Sequence, residues 1–187
     1  MANKFNPDWL TGIGTAIIAC TGMFALAYAH WQLSEAHEEA QVQHLLMLNH
    51  EYEQEPMVTY RRTCAVKRLA GADGFPEEGR ILDFFETVGG LVDRGYLKDT
   101  DVWENFANQI FPLYADARDT IERDRKTDPA EYSNLLSLVQ RLEFIEDQHH
   151  GTLAKPSKDD IKEFWKDETT TGVGTPTGRH KHSTAKP

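Results

Sequence analysis

Cysteine is scarce in this chain, with two residues among 187, too few for a disulfide framework, and four thiolate or imidazole ligands at the close spacing of a zinc ribbon are absent as well. Basic side chains are also in deficit, 20 Lys and Arg against 30 Asp and Glu for a formal charge of -10. That balance excludes a general nucleic-acid binder, whose affinity comes from neutralised phosphates. No phosphate loop, dinucleotide fingerprint, G-x-S-x-G elbow or H-E-x-x-H motif is present. Asp73 and Asp99 open no calcium loop, because the required glycine and oxygen ligands do not coincide. The period-two alternation of a β-strand is missing as well. Hydrophobic residues make up 40% of the sequence, too many for a disordered chain, and the length suits one ordinary domain. Composition and motifs indicate no cofactor.

Charge is missing locally too. Residues 9–34 contain no Asp, Glu, Lys or Arg. The 22 residues 10–31 would form a helix of about 33 Å at about 1.5 Å per residue, against a bilayer core of about 30 Å. Trp9 at one end and Tyr28 with Trp31 at the other suit the headgroup boundary. The expectation is a single transmembrane helix after a tail at 1–9. A buried helix of a soluble domain is one rival. A cleaved secretory signal is another, because Ala25-Leu26-Ala27 and Ala27-Tyr28-Ala29 are small-x-small sites. Gly12, Ala16 and Cys20 recur every four positions, a face through which two membrane helices could associate as a homo-oligomer. Lys4 is the N-terminal flank's one basic side chain and the other flank has none before Arg61, so the positive-inside rule points faintly to an external domain.

Residues 32–55 carry six Glu and no Lys or Arg and read as an acidic helical neck ending at Pro56. Residues 56–168 read as an all-α bundle of about four to five helices, with its apolar content beginning near residue 42. A helix over 57–69 is followed by a loop at 71–76 and a helix over 77–94, whose Ile81, Leu82, Phe84, Phe85, Val88, Leu91 and Val92 recur mostly three and four apart. Gly95 should stop it with positive φ and Leu97 fold back. Thr100 or Asp101 starts the next helix, with a bend expected at Pro112. Asp128-Pro129-Ala130-Glu131 has the composition of a helix start, and a short helix over 157–168 carries Ile161, Phe164 and Trp165. Residues 169–187 carry three basic and no acidic side chains and almost nothing large and apolar, so they are expected to stay disordered.

Glu146 and His149 form E-x-x-H on a helix, the spacing of half a carboxylate-bridged di-iron site. No second pair completes it, and histidines near a helix end also suit the dipole. A metal-dependent enzyme built on these two is the alternative reading. His30, His37 and His44 recur every seven residues, about 10.5 Å apart along a helix, too far for one metal ion; a proton-sensing neck or a scattered polar face are the readings open to them. Cys64 has no base at a telling spacing and suits a buried position, while Arg179-His180-Lys181-His182 could hold metal or an anionic surface weakly. The charged and aromatic residues along the apolar stripes are the candidate packing or partner network: Arg61, Arg62, Arg80, Asp83, Phe84, Phe85, Glu86, Asp93, Arg94, Trp103, Arg118 and Arg141.

The run ILDFFETVGGLVDRGYLKDTDVWENF over 81–106 joins an aromatic pair and an acid (Phe84, Phe85, Glu86), a Gly-Leu pair, a Gly-x-Leu stop (Gly95, Leu97) and an acid before Val-Trp (Asp101, Val102, Trp103). With the preceding apolar helix and the later Tyr114, Arg125 and Tyr132, it resembles a bacterial family of short membrane-anchored helical proteins, domain of unknown function 4760. The likeness covers about residues 10–148, while Pro112 and the polar tail depart from it. The resemblance implies an all-helical domain behind one membrane helix, without an established activity and often on the cytoplasmic side. Together these readings point to a single-pass inner-membrane protein, not an enzyme, held in the lipid bilayer by its helix, whose helical domain binds another protein or itself in regulation, stress or phage response.

Overall fold

A computed structural model describes the backbone of residues 8–72, 74–150 and 155–170, and the side chains of these from 21 onward apart from Ala27, Ser34 and His150. The described residues are all-helical: α1 (Asp8–Tyr52), α2 (Met57–Leu69), α3 (Pro76–Asp93), α4 (Asp99–Thr127), α5 (Ser133–His150) and α6 (Lys158–Thr170). The chain divides into two compact units, Met1–Val42 and Gln43–Pro187.

In the first unit α1 presents Met23, Phe24, Leu26, Tyr28, Trp31 and Leu33 to solvent, with the Tyr28 and Trp31 rings edge to face at 6.1 Å. Among the described residues no helix is long and apolar enough to cross a membrane. The expected span at 10–31 falls partly outside them, since the side chains of 10–20 are not described.

The second unit begins within α1, whose last turns bury Leu48 and Tyr52, so the end of the expected neck belongs to the bundle. Helix α3 packs on α2, α4 and α5, while α6 lies against α2 and α4. Four rings form the centre: Tyr52, Phe84, Phe85 and Phe106, with centroids 5.1 to 6.2 Å apart, mostly tilted or edge to face as the ring quadrupoles favour. Ile81, Leu82, Val88, Ile110, Leu113, Leu135, Leu138 and Leu142 close around them. Cys64 is fully buried, and burial, with Glu78 adding to it, pushes its thiol pKa far up. It packs as a small apolar side chain.

The end of α3 follows its sequence signal. Gly95 has φ +76°, its amide donates to Val92 O and the Tyr96 amide donates to Leu91 O, the paired bonds of a Schellman stop. Leu97 is buried behind it. Helix α4 runs unbroken through Pro112.

The expected helix start at residues 128–131 needs correction. Asp128 accepts from the Ala130 amide through its side chain and from the Glu131 amide through its carbonyl, so these residues fold into turns, and α5 starts at Ser133. Tyr132 turns the chain with φ +57°, a left-handed conformation that costs a side-chain-bearing residue about 1–2 kcal/mol; its ring is buried. The cap of α5 comes from α3. Glu86 accepts from the Asn134 amide (3.1 Å) and side chain (2.7 Å) and from the Leu135 amide (2.7 Å). A carboxylate at a helix N-terminus meets both unsatisfied donors and the positive end of the dipole.

Thr169 and Thr170 belong to α6 rather than to the tail, their hydroxyls donating to Lys166 O and Asp167 O. The expectation of disorder otherwise concerns residues 171–187, which lie outside those described.

The trans cap demands close approach of α3 and α5. A Cβ at Gly89 would sit 2.4 Å from Asn134 O, whereas one at Gly79 of the same helix would meet nothing within 4 Å. Gly89→Ala should therefore destabilise by at least about 2 kcal/mol through overpacking, while Gly79→Ala should stabilise by about 0.5–1 kcal/mol. Thermal denaturation of both variants measures the contrast, and equal effects would refute the close approach.

Candidate functional site

Arg61 is i+4 from Met57 and i−4 from Ala65, so it lies on the buried stripe of α2. Its guanidinium is 3% exposed and is met from three sides. Nε and Nη2 donate to the two oxygens of Glu168 at 2.8 and 2.9 Å. Nη1 donates to Tyr52 O at 2.8 Å and to Glu53 at 3.1 Å, and the carbon centre stands 3.9 Å from the Tyr52 ring centroid. A bidentate arginine–carboxylate pair of this kind is geometrically specific as well as strong. Arg61 also satisfies the Tyr52 carbonyl, one of those that the end of α1 leaves open. Burial drives the Tyr52 hydroxyl pKa far up, opposed by Arg61, so the ring stays neutral.

A second cluster centres on Glu78, fully buried in the first turn of α3. Arg68 donates to it, as does the Thr120 hydroxyl at 2.9 Å, with Arg123 donating to Thr120 at 2.9 Å. Arg68 Nε also stands 3.2 Å from Asp116 in an ion pair rather than an aligned hydrogen bond. Asp116 accepts the Trp165 indole N–H at 2.7 Å.

The residues expected to form one network are thus distributed. Arg61 anchors α1, α2 and α6; Glu86 caps α5; Asp93 pairs with Arg141 at 2.7 Å across α3 and α5. Phe84 and Phe85 are core rings. Arg62 is half-buried, while Arg94 is exposed at the end of α3. Arg118 is exposed beside Glu122 at 3.2 Å, and Arg80 and Asp83 stand on a groove rim. They do not converge. Glu78, Thr120, Asp116 and Glu168 are the polar residues sequence reasoning missed. Glu78 is three and four residues before Ile81 and Leu82, and Glu168 three and four after Trp165 and Phe164, so both acids sit on apolar stripes.

Glu146 and His149 do come together, on Trp103 rather than on a metal cluster. The indole N–H donates to Glu146 at 2.7 Å, and the His149 ring stacks on the indole at 4.8 Å and 14°. Among the described residues no group of three or more His, Cys, Asp or Glu is placed to hold a metal ion. Of the spaced histidines, His37 bonds to Gln41 at 3.2 Å and His44 lies 6.2 Å from the Tyr96 ring.

Among the concavities that the described residues form on the bundle, two stand out. One, of about 370 Å³, is lined by Phe111, Tyr114, Ala115, Arg118, Glu143, Glu146, Lys155, Pro156 and Ile161. The larger, about 520 Å³, lies between the end of α1, the start of α2 and α3. Leu48, Met57 and Phe84 form its apolar floor; Glu51, Glu55 and Asp83 stand on its rim with His50, Gln54, Tyr60, Arg80 and Thr87. Partial burial raises the Asp83 pKa from its ordinary value, opposed by Arg80 and reinforced by Glu86.

Arg61→Met should cost about 3–5 kcal/mol, because Glu168 is left buried and uncompensated. Adding Glu168→Leu should recover most of it. Urea denaturation of both single variants and the double checks this, and additive losses would refute the clamp. Compared with protein-family models, curated proteins and solved structures, the chain matches none of them.

Proposed function

We propose that the chain is a single-pass bacterial inner-membrane protein of the domain of unknown function 4760 type, with a helical domain that acts as a cytoplasmic protein-interaction or regulatory module. The observation that carries the anchor is the surface of α1. Met23, Phe24 and Leu26 are 64, 77 and 73% exposed, and with the exposed Ala25 and Ala29 they cover every side of the helix at about 100° per residue. A helix that is apolar all round belongs inside a protein or a bilayer, and residues 9–34 carry no Asp, Glu, Lys or Arg. Tyr28 and Trp31, exposed at the end of that run, have the chemistry of interface anchors.

The cytoplasmic side rests on the resemblance over residues 10–148, and the interaction role rests on a complete helical core whose sequence carries no catalytic constellation. Within the domain, Arg61, Arg68, Glu78, Glu86 and Glu168 all bond to other parts of the bundle. This supports reading them as packing residues that shape the domain rather than as reacting groups. The domain's rims and open grooves are then the surfaces left for a partner.

Cell fractionation with a C-terminal tag tests the reading. The full chain should pellet with membranes, resist alkaline carbonate, retain its uncleaved N-terminus and protect the tag from external protease. Ala19→Arg combined with Met23→Arg places two charges near the middle of the span, at about 2.5–3.5 kcal/mol each, and should move the protein to the soluble fraction. A carbonate-soluble wild type overturns the anchor; cleavage near Ala29 or an accessible tag overturns the cytoplasmic domain.

A further inference from the structure

We infer that the groove between the end of α1, the start of α2 and α3 is a docking site for the chain's own basic C-terminal segment, centred on Arg179 and Lys181. The groove has two chemistries in one place. Its floor is hydrocarbon, with Leu48, Met57 and Phe84 at 3, 7 and 6% exposure. Its rim carries the exposed carboxylates Glu51, Glu55 and Asp83 against the single guanidinium of Arg80. Such a trough fits a long cationic side chain, whose methylene stem covers apolar surface while its head reaches charge at the edge. The half-buried Tyr60 ring beside it adds an aromatic face that attracts a cation.

The chain supplies that chemistry next to the site. The last turn of α6 is fixed by Glu168, whose carboxylate is 2.8 Å from Arg61, and Arg61 is 3.1 Å from Glu53. Gln54 and Glu55, the next two residues along the chain from Glu53, line the groove. The end of α6 is thus linked to the groove rim through Arg61 and Glu53. Arg179 is nine positions beyond Thr170, an extended reach of about 30 Å. Residues 171–187 contain Arg179, Lys181 and Lys186 and no acid. Arg179 and Lys181 are two apart, so an extended occupant presents both to one side.

Each exposed ion pair here is weak, but tethering changes the outcome. A short tether gives an effective concentration on the order of millimolar, enough to fill a site that would ignore the same peptide added at micromolar concentration. The inference does not depend on the membrane reading, because both partners lie in the second unit. It makes the groove an internally guarded surface that a competing basic segment must clear.

Carbodiimide cross-linking of the full chain in detergent, with unlabelled and ¹⁵N-labelled protein mixed in equal amounts, tests it. Peptide mass spectrometry should find Lys181 joined to Glu51, Glu55 or Asp83 within chains of one label, with yield falling severalfold between about 50 mM and about 500 mM salt as screening grows. Arg179→Glu, which leaves every cross-linking partner in place, should lower the yield at least threefold, and Arg179→Lys should restore it. Links between differently labelled chains would overturn the proposal by making a second copy the occupant. Equal reaction of Lys181 with carboxylates all over the bundle, no link to the groove, or indifference to Arg179→Glu would overturn it as well.

Discussion

A buried guanidinium cannot keep its charge without partners, and Arg61 organises one side of this bundle around that constraint. The cost of stripping water from such an ion is several kcal/mol, so each donor must find an acceptor. Glu168, Tyr52 O and Glu53 supply them, and they come from α6, the end of α1 and the turn after it. One side chain on α2 thereby sets where three other segments sit. The Glu78 cluster repeats the logic on α3, joining α2 and α4 through Arg68 and Thr120, with Asp116 and Trp165 bringing in α6. Apolar burial supplies the driving force for collapse, and these polar clusters select one arrangement of the helices.

The other side depends on space. Helix α5 is seated on α3 at Gly89, where backbone lies almost against backbone, and that proximity lets Glu86 reach the first amides of α5. The cap and the glycine are parts of one device, because a side chain at Gly89 would push α5 beyond the reach of Glu86. The Gly89-Gly90-Leu91 run is thus a contact surface rather than a helix weakness, although glycine inside a helix ordinarily costs about 1 kcal/mol.

Helix type and apolar faces were legible in the sequence because period 3.6 repeats over long stretches in α3, α4 and α5. The glycine stop at Gly95 was legible for a local reason, its positive φ. The start of α5 was not. Asp128-Pro129 has the composition of a cap, but the true cap is Glu86, 48 and 49 positions before its partners, and no local pattern encodes such a pairing. The same holds for the candidate site. Arg61 was recognisable as a basic residue on an apolar stripe, while its partner Glu168 lay at the end of a segment read as a short helix. Glu146 and His149 were correctly seen to share a face, yet what they meet is Trp103, a neighbour supplied by another helix.

The pairing of Arg61 with Glu168 spans 107 positions, and that separation sets an order of events during synthesis. While α1 to α5 emerge, Arg61 has Glu53 and the Tyr52 carbonyl as partners, but the carboxylate that takes its other two donors is not yet made. The aromatic centre of Tyr52, Phe84, Phe85 and Phe106 can collapse during this time. The clamp closes only when the last described helix arrives. Maturation of the bundle therefore waits for residue 168, and a ribosome stalled before it would hold an open, charged intermediate suited to capture by chaperones.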